Sequence, residues 1–117
     1  MEQITSEKLD FNLYQQKAKE TAFYPVLGHP IVYPALGLAG EAGEVAEKIK
    51  KMCRDNNCVL TDDIKKLIAL ELSDVLWYIS AIASELEYNL ETIASMNIEK
   101  LNSRKIRGVL NGSGDYR

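Results

Sequence analysis

The chain has 117 residues, 46% apolar and 26% charged, with a net charge of −3, which describes one globular domain holding a single core of three to five helices. Its acidity excludes a protein that grips a nucleic-acid backbone, which needs a basic face, but admits a phosphate-bearing substrate approached through divalent cations. No apolar run approaches the ~20 residues of a membrane span, and Met1 to Phe11 lacks the basic-then-apolar pattern of a signal peptide, so the expected compartment is the cytoplasm.

Residues 1–6 read as a loose lead-in. From about Ser6 to Thr21, Leu9, Leu13, Ala18 and Ala22 recur at roughly helical spacing and predict a first helix. Tyr24 to Pro34 holds all three prolines and Gly28, so it predicts a loop. That loop also carries Tyr24, His29 and Tyr33, which either pack it down or offer faces on which a nucleobase stacks. Ala35 to about Arg54 predicts a second helix with Leu38, Ala42, Val45, Ala46, Ile49 and Cys53 as its apolar stripe. Gly37, Gly40 and Gly43 crowd its first half at about 1 kcal/mol each relative to Ala, which suggests close approach by a backbone or a ligand. Cys53 and Cys58 are too few for a disulfide framework, and with one His they cannot build a zinc site; they read as reduced thiols.

Thr61 is the expected N-cap of a third helix, Ile64 to Leu86, with Asp62 and Asp63 favourable in its first turn. At about 100° per residue, Ile68, Val75, Ile79, Ile82 and Leu86 form one stripe, widened by Leu67 and Ala81. Ser73, Ser80 and Ser84 fall opposite. Glu71 points into the stripe, with Asp74 and Tyr78 beside it. Asn89 reads as the N-cap of a fourth helix ending near Lys105, and the tail from Gly108 to Arg117 is rich in turns. No segment reads as a strand. The fold class is all-α, a four-helix bundle-like arrangement over residues 1–117, with a helical core at about 6–105 and a tail at 106–117.

Two acids on an apolar stripe need an explanation, because a buried carboxylate is normally paired, protonated or bound to metal. A Lys or Arg from another helix would serve as partner. The second helix, however, offers Glu41 and Glu44, three apart and on one side. Taken alone these are unremarkable, since Glu44 with Lys48 and Glu47 with Lys51 are favourable i,i+4 pairs. Facing Glu71 and Asp74, they would repel unless cations intervene. A single His excludes a di-iron bundle site, and an oxygen-only set suits Mg²⁺ or Mn²⁺. Magnesium held by carboxylates commonly binds substrate phosphates as well, which points to phosphate-ester or anhydride chemistry. Asn97, Lys100 and Arg104 share a face of the fourth helix, where they either hold phosphates or complement the helix dipole.

GLAGEAGEVAEKIKK followed by ELSDVLWYIS resembles the MazG-like, all-α nucleoside triphosphate pyrophosphohydrolases, a superfamily that includes dimeric dUTPases, dCTP pyrophosphatases and phosphoribosyl-ATP pyrophosphohydrolase. The resemblance extends over TAFYP, YPALGLAGEAGE, LETIASMNIEKLNSR and the closing GSGDYR. The loop and tail are similar to those of small, stand-alone and often phage-encoded members, which would act in the host cytoplasm. The resemblance implies Mg²⁺-dependent hydrolysis of a (deoxy)nucleoside triphosphate between the α and β phosphates, with Mn²⁺ able to substitute. It implies metal binding by Glu41, Glu44, Glu71 and Asp74, with Glu41 as candidate general base. Asn97, Lys100 and Arg104 would hold the departing phosphates, and Tyr78, Trp77 and His29 are candidates for the nucleoside. It also implies a homodimer or homotetramer and neither a nucleic-acid nor a membrane partner. The alternatives are an enzyme confined to one base, such as a dUTP, dCTP, dGTP or modified-nucleotide pyrophosphatase, and a non-catalytic helical interaction module.

Overall fold

Four helices make up the regular structure of residues 7–117, the part of the chain that the computed structural model describes. They are α1 (Phe11–Lys19), α2 (Val32–Asp55), α3 (Asp62–Glu85) and α4 (Leu90–Ile106), and there is no strand among the described residues. The all-α expectation holds. The lead-in at 1–6 lies outside the described residues.

α1 starts later than its apolar spacing suggests, because Asp10 is its cap: the Asp10 carboxylate accepts the Leu13 backbone N–H at 2.7 Å. α2 begins at Val32, inside the predicted loop. Pro34 then sits in the first turn, where a missing N–H has no intrahelical partner to lose. His29 sets this start, its Nδ1 accepting from the Ile31 N–H at 3.1 Å and its carbonyl from Val32. α3 opens as expected, with Thr61 Oγ1 accepting from the Ile64 N–H at 3.3 Å. Asn89 is the N-cap residue of α4 but gives no side-chain bond. Gln15 of α1 replaces it, receiving the Leu90 N–H at 2.7 Å while its own amide donates to Tyr88 O and Ser84 Oγ. One buried glutamine thus ties α1 to the turn between α3 and α4.

α2 and α3 form an antiparallel pair, the main packing in the chain. The α2 glycines give one instance of the expected close approach, since a Cβ on Gly37 would overlap the Tyr78 ring. Gly40 and Gly43 face open space within the chain. The rotation of α2 departs in part from the apolar-stripe expectation: Leu38 and Val45 of the stripe are partly covered, as are Gly37, Glu41, Lys48 and Met52, while Ala42, Ala46, Ile49 and Cys53 stay exposed. α1 crosses α3 on another side, which corrects the reading of Ser80 and Ser84 as outward. Ser80 is 1% exposed beneath α1, close to the buried Ala81 and Ala83.

α3 is the one described helix long and apolar enough by composition to cross a membrane, its 24 residues including a window of mean hydropathy 1.5 that is 17% buried within the chain. Length and hydropathy alone would let it span. Glu71 and Asp74 lie mid-helix, where a charge in hydrocarbon costs several kcal/mol, and α1 and α2 pack on two of its sides. We read it as a packing helix of a folded domain, not a membrane span.

The reduced-thiol expectation is overturned as well: Cys53 and Cys58 are joined as a disulfide. Asn57 and Cys58 take left-handed φ values of 53° and 57°, and the Cys58 N–H returns to Met52 O. The chain thereby folds back on the last turn of α2 and brings the two Cα atoms within 3.8 Å. The two cysteines therefore give no support for a reducing compartment.

Candidate metal and nucleotide site

The antiparallel α2–α3 pair sets Glu41 opposite Glu71 and Asp74, and one oxygen from each can lie within 4.8 Å of the others. Glu41 and Glu71 are partly buried and Asp74 is exposed. Partial burial, a hydrogen bond with Glu71 and the charges of Asp74, Glu71 and Glu44 push the Glu41 carboxyl above its usual value of 4.5. Three convergent carboxylates without nitrogen or sulfur ligands fit a hard divalent cation such as Mg²⁺ or Mn²⁺. Glu44 is exposed and lies outside this set, though its charge is felt at Glu41.

Lys48 is the residue the sequence reading missed. Its Nζ crosses to Glu71 Oε1 at 3.5 Å rather than joining the expected pair with Glu44. Glu47 does hold Lys51, at 3.6 Å, and also Lys50 at 2.8 Å. The signal was present: Lys48 stands seven residues, two helical turns, beyond Glu41 and so shares its face. The cross-helix lysine considered as a partner for Glu71 therefore exists beside the carboxylate cluster, and it neutralises part of its charge.

The candidate nucleoside residues gather next to the acids. Tyr78 lies one turn past Asp74. Burial comes first in raising its phenol above the usual range, followed by Tyr33, Glu41 and Asp74. Trp77 meets Tyr78 edge-on, with ring centres 5.1 Å apart, and Tyr24 at 6.3 Å. Its indole N–H donates to Thr21 Oγ1 at 2.9 Å. Tyr24 stacks on Tyr33 at 5.7 Å and donates its hydroxyl to Glu85 at 2.6 Å. Burial and this carboxylate push the Tyr24 phenol up to about 12. His29, in contrast, is spent on the start of α2.

Two of the candidate phosphate-holding residues are engaged by the tail. Lys100 Nζ and Arg104 bind the Asp115 carboxylate of the tail at 3.0 and 3.3 Å, and Arg104, 4% exposed, also reaches Gly114 O. These cations hold Asp115 below the usual carboxylate range. Arg117 fastens the tail through the carbonyls of Val109, Leu110 and Gly114. Asn97 is exposed on α4.

Fold and site together define an all-α domain that presents convergent carboxylates beside an aromatic cluster. Residues 34–108 match the MazG nucleotide pyrophosphohydrolase domain. The chain is also 43% identical over 111 residues to "Gene 37 protein" of Mycobacterium phage L5, covering 91% of this chain and 97% of that protein. No solved structure matches it. The chain belongs to the MazG nucleotide pyrophosphohydrolase domain family, and nucleotide pyrophosphohydrolysis is the activity that membership carries.

Proposed function

We propose that the protein hydrolyses a (deoxy)nucleoside triphosphate between the α and β phosphates, releasing the monophosphate and pyrophosphate, with Mg²⁺ as its natural cation and Mn²⁺ as a substitute. The observation that carries this reading is the convergence of Glu41, Glu71 and Asp74 within 4.8 Å, in a family whose activity is on nucleotides. These three carboxylates would hold the metal, with Glu44 supplying a fourth oxygen from the next turn of α2. Bound there, divalent cations would polarise the phosphate and acidify the attacking water.

The side chains divide the remaining work. Glu41, beside the metal-holding Glu71 and Asp74, is placed to accept the proton of the attacking water as general base. Lys48 steadies Glu71 electrostatically. Tyr78 and Trp77 present rings to the nucleoside, with His29 shaping the loop behind them. Lys100, Arg104 and Asn97 hold the departing phosphates once Asp115 yields its place. We assign the activity to the cytoplasm, the host's in the case of a phage protein.

The active form is a homo-oligomer on this reading, a dimer or tetramer with no nucleic-acid or membrane partner. Gly40 and Gly43 offer open surface beside exposed Leu36, Ala39, Ala42 and Ile49, an apolar face suited to another copy of the chain.

The test is turnover of a dNTP panel with Mg²⁺, reading monophosphate and pyrophosphate. Glu71→Gln and Asp74→Asn should each abolish turnover while leaving the helical fold intact by circular dichroism. Full activity in both variants would refute the assignment, and a wild-type chain inert with every nucleotide and metal would return it to a non-catalytic interaction module.

A further inference from the structure

Among the described residues, the ion pair of Lys48 with Glu71 is the one that joins α2 to α3; the others on these helices link side chains within a turn of each other. It is also the least exposed of them, with the Lys48 side chain 31% and the Glu71 side chain 19% accessible. Glu71 is shared. Glu41 hydrogen-bonds to it on one side, and Lys48, roughly 10 Å further along α2 from Glu41, holds an oxygen of it at 3.5 Å.

A carboxylate needed as a metal ligand is thus already holding an ammonium. A divalent cation entering beside Glu41, Glu71 and Asp74 meets a like charge a few ångströms away, which opposes it. Lys48 has room to withdraw, because it lines an open cleft of about 260 Å³ with Met52, Ile64 and Leu67. Its four-carbon stem can stay against that apolar wall while the ammonium moves several ångströms. Oxygens that share one Mg²⁺, each at about 2.1 Å in octahedral geometry, lie roughly 3 Å apart. A phosphate oxygen on a cation held by Glu71 therefore falls within the swing of Lys48.

We propose that Lys48 is a triphosphate-holding residue that stands on Glu71 while the site is empty. Its ammonium takes the place of a cation there; when metal and nucleotide bind, the metal takes Glu71 and the ammonium passes to a phosphate on that metal. Metal and triphosphate then bind cooperatively, since the phosphate re-pairs the charge that the metal displaces, and the coupling is reciprocal. The proposal rests on the nucleotide hydrolase reading and deepens it. It leaves Asn97, Lys100 and Arg104 to the departing phosphates.

The test reads Mn²⁺ binding to nucleotide-free protein from the electron paramagnetic resonance signal of unbound Mn²⁺, alongside the melting temperature in EDTA and steady-state kinetics. Lys48→Met keeps the stem and removes the charge. It should bind Mn²⁺ about fivefold more tightly than wild type yet melt lower without metal, two shifts that lost packing would not produce together. It should also raise KM for a dNTP about tenfold, more than it lowers kcat, and Lys48→Arg should restore all three properties. Should Lys48→Met fail to fold, Lys48→Gln carries the same test. Mn²⁺ affinity unchanged or weakened in the neutral variant would overturn the proposal and leave the metal site standing. Tighter Mn²⁺ binding with an unchanged KM would overturn the transfer to phosphate. Wild-type protein that neither binds Mn²⁺ nor turns over any dNTP would remove the metal site itself, and the proposal with it.

Discussion

Gln15 carries more of the fold than its residue type suggests. Its side chain serves three groups at once, the Leu90 N–H, Tyr88 O and Ser84 Oγ. Gln15→Leu would keep the volume and orphan a buried N–H and a carbonyl, at about 2–3 kcal/mol together. The melting temperature should fall by roughly 10 °C, and a shift under 3 °C would show that water replaces the amide. Glu41 makes the opposite kind of contribution. Its folded pKa is raised above 4.5, so from about that pH upwards the folded chain holds a proton that the unfolded chain has released. The stability it contributes is present below this window and is lost as pH rises through the raised folded pKa. The difference in melting temperature between wild-type and Glu41→Gln metal-free protein should therefore fall across that window, and saturating Mg²⁺ should offset the fall. Melting curves at stepped pH in EDTA and in Mg²⁺ check this, and an identical slope in Glu41→Gln would refute it.

At the scale of the element, α3 was legible in its N-cap and in Glu71, which is partly covered as the 3.6-residue period predicts, whereas Asp74 beside it is exposed. The rotation of α2 was not. Its apolar stripe and its acidic edge share the face of α3, with Leu38 and Val45 partly covered beside Glu41 and Lys48 and Ile49 left out. Burial of Ser80 was likewise hidden, since only the crossing of α1 covers it. The tail was illegible for a related reason: nothing local in GSGDYR says that Asp115 will lie on Lys100 and Arg104. That contact makes a prediction. If those two cations hold substrate phosphates, Asp115 competes for them, and Asp115→Asn should lower KM for a triphosphate several-fold with kcat little changed. An unchanged KM in steady-state kinetics would place Lys100 and Arg104 outside the substrate site.

The whole molecule is more open than a compact chain of its length. Its radius of gyration is 17.3 Å, against about 13 Å for a compact chain of this length. Its accessible surface is 9020 Å², against roughly 6,400 Å² for a folded monomer of this mass, an excess of roughly 2,600 Å². Summed over two chains that excess is roughly 5,200 Å², the upper end of what an obligate interface covers. It coincides with large apolar side chains left bare, among them Leu36, Ile49, Leu67 and Leu70, far beyond the scattered exposure normal on a monomer. The apolar character that makes α3 look like a membrane span has the same explanation if another copy packs against its free side. The protein should therefore sediment as a multiple of its 13.1 kDa chain mass, a dimer or tetramer. Leu70→Glu combined with Ile49→Glu would set charges into that contact, and the assembly should dissociate or lose its cooperative melting transition. A wild-type particle of a single chain by light scattering, with a sharp melting transition, would contradict the assembly and require these apolar side chains to find another cover.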